Sequence, residues 1–168
     1  VMTIPSTIQD VIMARVDALP EGAKEVIQVG SVIEREFSHK LIKGVTGLSE
    51  QELLFRLSIL KDTELLFERG IYPETTYVFK HALTQEVAYN SLLLKRRNEI
   101  HEKIGAAIED IYATRLEEFY EMLAYHYSKS GTLEKAYQYL KLSGEKASEN
   151  YSNWEAFGFF KDAVNTLN

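Results

Sequence analysis

The chain has no cysteine, one tryptophan and three prolines among 168 residues. Without cysteine there is no disulfide framework, no thiolate metal site and no thiol nucleophile, and the composition fits a reducing compartment. It also lacks any apolar run of about 18 residues, so no segment reads as membrane-spanning. The opening VMTIPSTIQD has none of the basic-then-apolar layout of a signal peptide and reads as the interior of a longer protein. Basic charge is scarce: the net charge is -6, and the only basic cluster is Lys95-Arg96-Arg97. Phosphate neutralisation needs clustered Lys and Arg, so nucleic acid is not the expected partner. What is present, 45% hydrophobic and 26% charged residues, is the composition of a globular protein.

The first half reads as helices followed by a hairpin. Ser6 is the expected N-cap of a first helix, with Gln9 in the capping-box position and Ile8, Val11, Ile12, Val16 and Leu19 as its apolar stripe; Pro20 ends it. Glu21 to Ile33 forms a second helix on Ala23, Val26, Ile27, Gly30 and Ile33. A third runs from about Ser38 to Val45 and stops at Gly47. Ser49-Glu50-Gln51-Glu52 is a capping box and Leu48 with Leu53 a hydrophobic staple, which together start a fourth helix ending near Asp62. Leu65 to Arg69 and Thr75 to Phe79 are the two expected strands, paired as a hairpin. Three helices and a two-stranded hairpin is the order of a winged helix. Residues 1–94 carry nine Lys or Arg against thirteen Asp or Glu, a net -4 that disfavours a DNA-reading role.

From Leu94 the pattern is helical to the end. Lys95 to Tyr112 and Leu116 to Tyr127 carry apolar stripes, Gly131 closes the second, Thr132 caps the next and Asn153 the last. The fourth of these helices is expected to bury Ala156, Phe157, Phe160, Ala163, Val164 and Leu167. Leu123-Ala124, Tyr127, Gly131, Ala136 and Leu140 have the spacing of a tetratricopeptide helix pair. Ala156, Phe160 and Ala163 repeat the second-helix pattern only 20 residues after Ala136, short of the roughly 34 of a regular array. The fold class is therefore mainly α: a winged-helix-like domain followed by a tetratricopeptide-like helical region. A plain helical bundle is the alternative for the second half.

Catalytic signatures are missing. The four histidines, His39, His81, His101 and His126, make no H-x-x-x-H pair, and neither G-x-S-x-G nor a phosphate-cradling G-x-x-x-x-G-K-[ST] or G-x-G-x-x-G occurs. No enzyme, metal or bound cofactor is expected on this chain by itself. The stretch with the most chemical promise is YVFKHALTQEVAYNSLL, Tyr77 to Leu93, where Lys80 and His81 stand at a strand-to-helix junction. Such a junction offers unpaired N–H groups and the positive end of a helix dipole to an anion. Its helix is expected to bury Leu83, Val87, Ala88, Leu92 and Leu93. Arg15, near the apolar face of the first helix, either snorkels over apolar surface or aims at a phosphate.

These residues resemble a known family. IPSTIQDVIMARVDALP (Ile4 to Pro20), GSVIEREF (Gly30 to Phe37), the Tyr77 to Leu93 stretch and AYHYSKSGTLEKAYQYL (Ala124 to Leu140) resemble the segment after the nucleotide-binding domain of STAND-type signal-transduction ATPases. The resemblance is strongest to bacterial multidomain proteins joining a class III adenylate/guanylate cyclase, a P-loop ATPase and tetratricopeptide repeats. It implies that residues 1–20 end the ATPase's helical lid, 21–94 form the winged helix and 95–168 begin the repeats. Related switches carry a Met-His-Asp motif whose His contacts the β-phosphate of ADP and holds the closed state. His81 matches that His in position; Ala82 stands where the Asp would be. The implied fragment is non-catalytic and cytoplasmic, with ATP or ADP bound only by the parent. Its implied partners are an upstream P-loop domain and a protein or small-molecule ligand of the repeats, with neither DNA nor membrane. A stand-alone repeat adaptor and a winged-helix transcription regulator are the competing readings.

Overall fold

A computed structural model describes the backbone of residues 4–168 and the side chains from residue 8 onward. The chain is mainly helical with one small antiparallel sheet, and it divides into two compact units, Val1–Arg97 and Asn98–Asn168. None of its described helices is long and apolar enough to cross a membrane.

In the first unit, α1 (Ile4–Asp17) and α2 (Glu21–Ile33) precede a short strand, β1 (Glu36–Ser38). Then come α3 (His39–Thr46), α4 (Glu50–Asp62), the hairpin β2 (Leu66–Arg69) and β3 (Thr76–Phe79), and α5 (Ala82–Asn90). The sheet has the order β1-β3-β2, with Phe37 opposite Tyr77 and both Glu36 and Phe67 opposite Val78. The sequence reading of two strands is thus corrected to three. β1 has three residues and a single apolar one, too short for an alternation to register, and it exists because β3, some forty residues later, pairs with it.

Most of the local signals act as their chemistry dictates. Gly47 takes the left-handed conformation (φ 66°) that ends α3. The Ser49 hydroxyl accepts the Glu52 N–H at 3.2 Å to start α4, but the reciprocal half of the capping box is missing, because the Glu52 carboxylate accepts from Arg56 at 2.7 Å instead. α1 departs from expectation. It is already helical at Ile4, ahead of Ser6, whose side chain lies outside the described residues; Ile12, Val16 and Leu19 are buried, whereas Ile8 and Val11 face outward. The core gathers Val26, Ile27 and Ile33 from α2, Ile42 from α3, Leu53, Leu57 and Leu60 from α4, and Phe37, Tyr77 and Phe79 from the sheet. Each such aliphatic side chain contributes roughly 1.5–3 kcal/mol on leaving water. Gly30 matters here: a methyl group at that position would stand 2.7 Å from the Phe37 ring, so only glycine lets β1 lie this close to α2.

The second unit contains α6 (Leu94–Ile111) from Asn98 onward, α7 (Tyr120–Ser130), α8 (Leu133–Glu149) and α9 (Asn153–Asn165). The expected helix from Leu116 to Tyr127 is corrected. Ala113–Phe119 is a 3-10 segment broken at Arg115 (φ -142°, ψ 39°), and α7 begins only at Tyr120. The break is held by the Tyr112 and Phe119 rings, stacked at 4.1 Å, with the Arg115 guanidinium 5.3 Å and 5.9 Å from them. Gly131 (φ 82°) closes α7 as expected. α7 packs on α8 and α8 on α9. Thr132 and Ser152, the residues before α8 and α9, make no side-chain capping bond, and Asn153 is the first residue of α9 rather than its cap. α8 buries Ala136, Leu140, Ser143, Gly144 and Ala147 as its stripe requires. α9 buries only Ala156 and Ala163; Phe157, Phe160, Val164 and Leu167 are exposed, against expectation.

Candidate functional site at the strand-to-helix junction

β3 is the central strand, with Tyr77, Val78 and Phe79 all buried, and it hands the chain directly to Lys80 and His81. The Lys80 N–H still donates to the Leu65 carbonyl at 3.1 Å, continuing the ladder one residue beyond β3. His81 is the N-cap of α5, in extended conformation; its carbonyl accepts the Thr84 N–H at 3.0 Å, but its imidazole makes no capping bond and is exposed. Extended backbone at the cap followed by helix is the geometry in which the first-turn N–H groups look for an external acceptor. Behind the junction Thr84, Val87, Ala88 and Leu92 are buried, Leu83 is half-buried, and Leu93 is exposed rather than buried as its spacing implies.

The other two expected residues meet beside this junction. The Lys80 ammonium pairs with Glu64 at 3.3 Å. Arg15 Nη2 donates to the Thr63 carbonyl at 2.6 Å, where α4 ends and a cation is favoured by the helix dipole. Arg15 and Lys80 therefore converge on one turn, Thr63–Glu64, in which Glu64 takes a left-handed conformation (φ 58°). Lys80 also lines an open groove of about 590 Å³ on the outer face of the sheet, with Arg35, Arg69, Glu34 and Glu36 around Phe67 and Val78. Arg69 is tied to Glu36 across the sheet at 3.4 Å.

Two further polar clusters were not foreseen from the sequence. Buried His39, the first residue of α3, sets its Nδ1 3.0 Å from the Tyr77 hydroxyl and its Nε2 against the Glu50 carboxylate, which also binds Lys43 at 2.7 Å. The Lys43 ammonium, with burial opposing it and His39 adding to it, holds Glu50 below the usual carboxylate range; burial pushes the Tyr77 phenol up to about 12. In the second unit, His101 and His126 are both buried, Nδ1 to Nδ1 at 2.8 Å, beside the Tyr125 ring. Burial, helped by His101, pushes His126 down to about 3. The only sequence signal was helical spacing: His101 falls three residues before Ile104 and four after Arg97, on the inner stripe. Among the described residues, no three His, Cys, Asp or Glu side chains gather as a metal site would need.

No protein-family model matches the chain, and no curated protein matches it.

Proposed function

We propose that this chain is a non-catalytic regulatory and interaction segment of a STAND-type signalling ATPase, linked to an adenylate/guanylate cyclase, that couples nucleotide state to a repeat-based sensor. In this reading residues 21–94 are a winged helix and residues 95–168 open a tetratricopeptide-like region. The order helix, strand, helix, helix, hairpin, with the first strand pairing to the last, supports the winged-helix assignment. The parent supplies ATP or ADP and works in the cytoplasm.

The observation that carries the proposal is the uncommitted imidazole of His81 at the start of α5, next to the turn on which Arg15 and Lys80 converge. A donor placed there favours whichever domain arrangement brings a nucleotide phosphate to it, by its difference in affinity and no more. His81 with Lys80 then acts as the nucleotide-state sensor, Arg15 as a phosphate-facing cation held in reserve at the α4 terminus. The outer face of α4 favours a protein contact over DNA: Phe55 and Leu54 are exposed, while Arg56 is spent on Glu52 and Glu25.

Retention of ADP by the full-length parent tests the sensor, using His81→Ala and His81→Asp. Asp is a better N-cap than His and should hold α5 at least as firmly, by up to about 1 kcal/mol, yet it repels phosphate. Both variants should lose ADP faster and raise basal activity, while the fragment's melting temperature holds or rises. Unchanged retention in both would remove the sensor role.

A further inference from the structure

Glu64 stands where the local chemistry of its turn favours a different residue. As the chain leaves α4, the Leu65 N–H donates to the Leu60 carbonyl at 3.1 Å and the Glu64 N–H to the Lys61 carbonyl at 2.9 Å, with Leu60 and Leu65 both buried. That pair of bonds makes the left-handed helix stop in which glycine is the usual residue, because a side chain there crowds its own backbone. Gly47 and Gly131 take the left-handed position at the ends of α3 and α7; after α4 it is Glu64, at φ 58°. Its charge is misplaced as well. The C-terminal end of a helix carries partial negative charge and favours cations, as Arg15 on the Thr63 carbonyl illustrates. Backbone and dipole therefore both act against glutamate at this position.

Against these two costs stands one contact. Among the described residues, the Glu64 carboxylate has a single partner, the Lys80 ammonium at 3.3 Å. The pair does little for the fold, since the Glu64 side chain is 73% exposed and that of Lys80 43%, and exposed ion pairs are weak. What it does is occupy Lys80. An ammonium held by a carboxylate has to leave it before it can bind a phosphate, and the affinity for phosphate falls by that difference. From this we propose that Glu64 is a built-in competitor for Lys80, an anion within the chain that sets how tightly the junction holds a nucleotide phosphate. The idea rests on the sensor reading of His81 and Lys80 and adds its regulation: the turn after α4 weakens the grip, so the phosphate-bound arrangement is left more easily.

Release of ADP from the full-length parent, with melting of the 168-residue chain measured beside it, tests this. Glu64→Gln keeps the backbone strain and drops the charge. It should slow ADP release about two- to fivefold, the range of one exposed ion pair, and leave the melting temperature where it was. Glu64→Gly should slow release to the same extent and also raise the melting temperature by a few degrees. Tyr151, at the end of α8, is the other non-glycine residue held left-handed (φ 60°) among those described, and Tyr151→Gly should raise melting without touching release. In a Lys80→Gln background, which by itself should speed release, Glu64→Gln should have no effect. Unaltered release from Glu64→Gln beside faster release from Lys80→Gln would overturn the competitor and leave the sensor standing. A Glu64→Gln effect that persists without Lys80 would overturn it too, as would a Glu64→Gln chain that melts earlier yet releases ADP as before, which makes the pair a plain staple. If Lys80→Gln alone changes nothing, the competitor and the part of Lys80 in the sensor both fall.

Discussion

The two units bury histidine in opposite ways. In the first, His39 lies in a chain of polar partners, its Nδ1 beside the Tyr77 hydroxyl and its Nε2 against the carboxylate of Glu50, which Lys43 also binds. In the second, the Nδ1 atoms of His101 and His126 face each other at 2.8 Å, and burial works against the charge of His126. The lesson is that the first unit brings a carboxylate from the start of one helix, α4, to a histidine at the start of another, α3. In the second unit burial, helped by His101, keeps His126 neutral well below the usual imidazole range. The same contrast runs through the glycines. Gly105 receives the fully buried Tyr127 ring, and Gly144 receives Phe160, which is 38% exposed.

The sharpest way to break the second unit is Tyr127→Ala. The ring fills the space over Gly105, stacks on Tyr139 at 5.8 Å and takes a Lys135 bond, so its loss should cost about 3–5 kcal/mol in chemical denaturation. Acid comes next and separates the units. The unfolded chain protonates His126 below about 6.5, whereas the folded one resists until about 3. Folding stability of the second unit is therefore undiminished above 6.5 and falls between 6.5 and 3, by up to about 1.4 kcal/mol for each pH unit from this group. Glu50, held low, supports the first unit above the normal carboxylate range and fails it only at lower pH. Backbone amide NMR during a titration should show residues 98–168 losing structure first; simultaneous loss, or loss of the first unit first, would contradict this account of His126.

Overpacking sharpens the glycine contrast. Gly105→Ala should cost about 1–3 kcal/mol, because the Tyr127 ring has nowhere to move. Gly144→Ala should fall within about 1 kcal/mol of the parent, since Phe160 can swing outward and alanine favours the helix. In the first unit Tyr77→Phe should cost about 1–3 kcal/mol, because it leaves the buried His39 Nδ1 without its partner. Equal effects of the two glycine changes would erase the distinction drawn here.

What the sequence made legible was whatever depends on neighbours in the chain. Ser49 starting α4, Gly47 and Gly131 ending their helices, and the inner stripes of α2 and α8 are local chemistry. β1 was not legible, because Phe37 is its one apolar residue and its partner strand lies far away. The bend at Arg115 was hidden by Leu116, Phe119 and Tyr120, which continue a helical period across a break made by side-chain stacking. At the candidate site, the pattern located His81 and Lys80 at a junction, but it could not give the Thr63–Glu64 turn that brings Arg15 beside them, nor the His39–Glu50 contact. Both are products of tertiary folding between segments that carry no mutual signal.

β3 is hydrogen-bonded on both sides and leads without a gap into His81. Amides in such a strand exchange with solvent only when the whole unit opens. His81 is thus mounted two residues beyond a buried strand paired on both edges, at the surface yet fastened to the centre. Anything that grips its ring pulls on the middle of a sheet instead of on a loop that can give way. A tug there reaches β1 and β2 through backbone bonds alone, making the junction a stiff handle on the first unit.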